Sequence, residues 1–92
     1  MSDDRVHASP QDVRKLAAAL SAYQQEVTAA GRKMQAALGA ANWHDAQKDK
    51  FEARYRELQR GIDRFMSGEV TGMITGLNEL ARRLAEISSM RL

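Results

Sequence analysis

The chain has 92 residues, 43% of them hydrophobic and 28% charged, with a formal net charge of +2, one proline and no cysteine. That length holds one small domain with a thin core. The lack of cysteine excludes a disulfide framework and thiolate metal sites, and no apolar run approaches the roughly 20 residues of a spanning helix, so no stable membrane insertion is expected. Because acids interleave with the bases, the small positive charge does not point to a nucleic-acid partner.

Residues 1–8 read as a flexible polar lead, and they lack the basic segment and apolar run of a cleavable signal peptide. Helix 1 is predicted over about 10–39. Ser9 supplies a side-chain acceptor at the N-cap, Pro10 sits at the first helical position where its missing N–H costs nothing, and Asp12 answers the positive end of the helix dipole. Val13, Leu16, Leu20, Tyr23, Val27, Ala30, Met34, Ala37 and Ala41 then follow at alternating gaps of three and four. That is a heptad seam, the pattern of a helix packing lengthwise on another helix.

A turn is predicted at about 39–43, with Gly39 ending helix 1, Asn42 capping helix 2 and Asp45 serving as the acidic member of a capping box. Helix 2 is predicted over about 43–88. Its seam runs through Phe51, Tyr55, Leu58, Ile62, Met66, Val70, Met73, Leu77, Leu80, Leu84 and Ile87, and Phe65 shares it where the register shifts. The run of four-residue gaps in the middle reads as a hendecad step that relaxes the supercoil. Gly68, Gly72 and Gly76 lie on one flank, either as a groove for close approach of another helix or as a soft segment.

So short a connection makes long helices antiparallel neighbours. The expected fold is all-α, a single helical-hairpin domain over 1–92. Two helices alone cannot enclose two apolar stripes, and the longer second helix overhangs the first. The predicted solution is a homodimer or heterodimer with a similar hairpin, dimerising into a four-helix bundle.

Nothing in the sequence points to chemistry. His7 and His44 lie far apart, and there is no Gly-rich phosphate loop, nucleophile elbow or paired-carboxylate motif. The expectation is a protein that is not an enzyme and that has no catalytic residue, no cofactor and no metal. Glu52 with Arg56 and Glu79 with Arg83 are i, i+4 pairs that dress a solvent face. The basic residues Lys48, Lys50, Arg54, Arg56, Arg60 and Arg64 are interrupted by acids and read as solvated too.

A chain of this length with a tryptophan turn at its midpoint resembles the WXG family, the small helical hairpins exported by bacterial type VII (Esx-type) secretion systems. The resemblance rests on Trp43-His44-Asp45-Ala46 with Phe51 eight residues after the tryptophan. Asp45 stands where the family's motif has glycine. The resemblance implies export without a cleavable signal peptide, action as a dimer, and a partner in the secretion system's membrane ATPase, which would read a surface formed by Trp43 and a partner's C-terminal segment. No tyrosine follows Tyr55, so the family's Tyr-x-x-x-Asp/Glu export signal is missing. Either another signal operates or a heterodimer partner supplies it. The alternative reading is an intracellular coiled-coil adaptor or chaperone-like module without export.

Overall fold

A computed structural model describes residues 9–90, with side chains through residue 87. The lead expected over residues 1–8 lies outside them. The first helix, α1, covers Pro10–Ala40; α2 covers Ala46–Phe65, a π turn follows over Met66–Val70, and α3 covers Thr71–Met90. The last three form one continuous rod that folds back along α1, and the molecule measures 71 × 24 × 20 Å.

The start of α1 follows from its sequence. Ser9 Oγ accepts hydrogen bonds from the Gln11 and Asp12 amides at 3.1 and 3.3 Å, so two amides that the helix cannot satisfy internally find a partner. The other end departs from expectation. Gly39 does not stop the helix, because the chain leaves α1 at Ala41 in an extended conformation (φ −67°, ψ 132°) and needs no left-handed residue.

The second rod likewise starts later than predicted. Asn42 and Trp43 lie in the link, and Asp45 is itself the N-cap (φ −134°, ψ −178°). One carboxylate oxygen takes the Gln47 and Lys48 amides at 3.0 and 3.1 Å, which fixes the helix start at Ala46. The backbone there is extended, so the position places no demand for glycine.

Within the hairpin the backbones of α1 and α3 approach closely, whereas those of α1 and α2 hardly do. Among the described residues the buried ones, Val13, Ala17, Val70 and Ala81, all belong to the closely packed half. Two of them are alanines, and small residues at the contact are what let helix axes draw together.

The π turn replaces the predicted hendecad step. The Thr71 amide reaches back to the Met66 carbonyl, a five-residue span, so one extra residue is taken up in a single wide turn rather than spread along a relaxed supercoil. The Met66 carbonyl also accepts from the Thr71 hydroxyl at 3.0 Å and from Gln24 Nε2 of α1 at 2.7 Å. Gln24 Nε2 donates further to Thr71 Oγ1 at 2.9 Å. A polar side chain from the facing helix thus pins the turn and the alignment of the two rods.

Candidate functional site

The inward seam is offset from the predicted one. Along α1 it runs through Val13, Ala17, Leu20, Gln24, Val27, Gly31, Met34 and Leu38; along the second rod it runs through Tyr55, Gln59, Ile62, Met66, Val70, Ile74, Leu77, Ala81 and Leu84. About half of the predicted positions face inward as expected: Val13, Leu20, Val27 and Met34 on α1, and Tyr55, Ile62, Met66, Val70, Leu77 and Leu84 on the second rod. The positions between them do not. Leu16, Tyr23, Leu58, Met73 and Leu80 are exposed, and the next residue along, Ala17, Gln24, Gln59, Ile74 and Ala81 in turn, takes each place inside.

These outward residues form a pattern of their own. The exposed large apolar side chains among the described residues are Leu16, Tyr23, Trp43, Phe51, Leu58, Phe65, Met73, Leu80 and Ile87. Apart from Trp43 and Phe51, each lies three positions after a residue of the inward seam, as Leu16 follows Val13 and Leu58 follows Tyr55, and Phe51 lies one heptad before Leu58. An equal offset turns to the same side on two rods that run in opposite directions, so both stripes share one face of the hairpin. On the second rod the stripe Phe51, Leu58, Phe65, Met73, Leu80, Ile87 repeats every seven residues, except for one step of eight from Phe65 to Met73. That step spans the π turn, which keeps the outward stripe and the inward seam both in phase.

Trp43 extends the face at the tip. Its ring lies 6.3 Å from that of Phe51, tilted by 37°, and Phe51 in turn stacks on Tyr55 at 6.4 Å and 18°. The motif residues therefore sit together: Asp45 caps the helix whose first turns hold Phe51 under Trp43. Beside them opens a shallow cleft of about 460 Å³ lined by Trp43, Gln47, Lys50, Phe51 and Arg54.

The opposite side of the tip is polar. A cleft of about 300 Å³ lies among Gln35, Leu38, Gly39, Lys48, Glu52, Tyr55 and Arg56. Glu52 pairs with Lys48 at 3.2 Å and with Arg56 at 3.4 Å, which uses part of the basic run. Tyr55 donates to Gln59 at 3.0 Å, and Gln59 donates to Asp63 at 2.9 Å. On α3 the expected pairing shifts by one residue. Glu79 hydrogen-bonds Arg82 at 2.6 Å rather than Arg83, and Arg82 also reaches Glu86 at 3.1 Å. The Arg82 hydrogen bond and charge, with Arg83 behind them, hold the Glu79 carboxyl below its ordinary range.

Among the described residues no cluster of His, Asp or Glu is placed to hold a metal ion, and no buried side-chain polar atom lacks a hydrogen-bond partner. None of their helices is long and apolar enough to cross a membrane. What stands out is the apolar face, far more continuous than the scattered leucines of an ordinary surface. Inspection of the sequence for bulky residues alone merges it with the inward seam. The signal that separates them is the second heptad, one residue away, carried by Ala17, Gln24, Gly31, Gln59 and Ala81.

Compared with known proteins, the chain matches no family model, no curated protein and no solved structure.

Proposed function

We propose that this chain is a non-enzymatic, WXG-like docking hairpin that pairs through its outward apolar face with another hairpin, forming a four-helix bundle, and that it is exported by a type VII secretion system or escorts an exported partner. One observation carries the reading. Among the described residues, all the large exposed apolar side chains outside the link share one face, and the Trp43–Phe51 stack continues that face to the tip. A hairpin that keeps so much apolar surface on one side is built to be covered by helices of similar length. The turn motif fits the same reading. Asp45 secures the helix start through its carboxylate, so the tryptophan turn survives without the family's glycine.

The secretion part rests on the resemblance and on the place of Trp43, 40% exposed at the tip where a membrane ATPase could read it. The test is detection of the chain in culture supernatant from cells with and without that ATPase. Supernatant protein that disappears with the ATPase supports export. Retention in the cytosol of both strains rejects it and leaves the adaptor reading.

A further inference from the structure

The geometry points to a second copy of this chain as the occupant of the face, docked so that the two long rods run antiparallel and cross at their π turns. The inference rests on the docking reading and goes further by naming the partner and the pairing. A two-fold interface requires that residue i of one copy meet residue j of the other, and j meet i. The outward stripe of the second rod meets that requirement, because its one step of eight falls in the middle of its steps of seven. Reversed, the stripe reads the same about Glu69. Phe51 then lies opposite the partner's Ile87, Leu58 opposite the partner's Leu80, and Phe65 opposite the partner's Met73.

Three further features of the crossing point agree. Gly68, Gly72 and Gly76 flank the stripe there, and a Cβ added at any of them would meet nothing within 4 Å in the hairpin. Inside one copy these glycines have no packing role, whereas at a helix crossing they let two backbones approach. A shallow groove of about 410 Å³ opens beside them, lined by Arg64, Gly68, Glu69, Gly72 and Met73. Finally, the surface is large. Eight large apolar side chains, each 40–61% exposed, leave on the order of several hundred Å² per copy to cover, a substantial part of one partner's share of a stable interface.

The chain has no cysteine, so the pairing can be read by disulfide trapping. Expected results are a covalent dimer from Glu69→Cys alone, a covalent dimer from a mixture of Phe65→Cys and Met73→Cys chains, and none from Phe51→Cys alone. Gly72→Leu tests the crossing without threatening the fold, since leucine is the better helix former and has open space there. It is expected to raise the dimer dissociation constant at least tenfold while helicity by circular dichroism holds or rises. Self-linking of Phe51→Cys, unchanged association of Gly72→Leu, or a monomer by light scattering at tens of micromolar would each overturn the pairing. A chain that is monomeric alone but binds a different hairpin overturns self-pairing and leaves the docking reading standing, and the supernatant test is unaffected by either result.

Discussion

The two halves of the hairpin are held together differently. In the base half, the first part of α1 lies against α3 and the end of the π turn, with Val13, Ala17, Val70 and Ala81 buried. In the tip half, the rest of α1 faces α2, which has no buried residue, across Gly31, Gln59 and the Tyr55–Gln59–Asp63 chain of hydrogen bonds. Small apolar residues let axes close up and exclude water, whereas polar chains between helices keep their hydration and hold the axes apart. The base therefore carries the stability, and the tip, where Trp43 is displayed, remains the looser end. Gln24 sits at the border and ties the two halves at the π turn.

The contrast is broken most severely in the base. Ala81→Asp places a charge where the side chain is fully buried, at a cost of several kcal/mol, comparable to the whole stability of so small a fold. Circular dichroism should show an unfolded chain, whereas Ala53→Asp, on the exposed side of α2, should stay helical. Equal effects from the two would mean that the halves do not differ.

Gln24→Leu comes next. It removes two hydrogen bonds but leaves the Met66 carbonyl with the Thr71 amide and hydroxyl, so a loss of about 1–2 kcal/mol is expected. For a chain of this size each kcal/mol lowers the melting midpoint by roughly 4–8 °C. Amide exchange should speed up more in α2 than in α3, and an unshifted midpoint would show that the bridge is ornamental.

The smallest effect sharpens the comparison within the tip. Gly39→Ala meets nothing within 4 Å and should gain about 1 kcal/mol from helix propensity. Gly31→Ala sets its Cβ 3.2 Å from Gln59 Nε2, so part of that gain goes into displacing Gln59 from its bonds to Tyr55 and Asp63. Urea midpoints should rise more for Gly39→Ala than for Gly31→Ala, and the reverse order would place Gln59 elsewhere.

Much of this was legible in the residues. Ser9-Pro10 announced α1, the tryptophan stretch announced the reversal, and half of each seam was in register. The other half faces outward for a physical reason. Each rod carries two apolar heptads side by side, and bulk draws the eye to Leu16, Tyr23, Leu58 and Leu80, whereas close packing selected Ala17 and Ala81, with Gln24 and Gln59 beside them. Side-chain size alone does not say which of two adjacent stripes the facing helix will cover. The sequence puts the turn too early because Asn42 and Asp45 are both competent caps, and only the fold shows that Asp45 takes the amides. The π turn left a trace in the run of four-residue gaps, yet a gap pattern does not distinguish one wide turn from a gradual unwinding.

The π turn also gives the long rod one place where its length is negotiable. Removing a single residue between Met66 and Val70 would return that turn to ordinary α-helix and leave every side chain before and after it facing as it does now. Removing one anywhere else would swing the remainder of the rod by about 100° and bring polar residues onto the contact line. Of the 45 positions in the rod, only the exposed Ser67, Gly68 and Glu69 inside this turn can be lost without scrambling either surface or emptying the core.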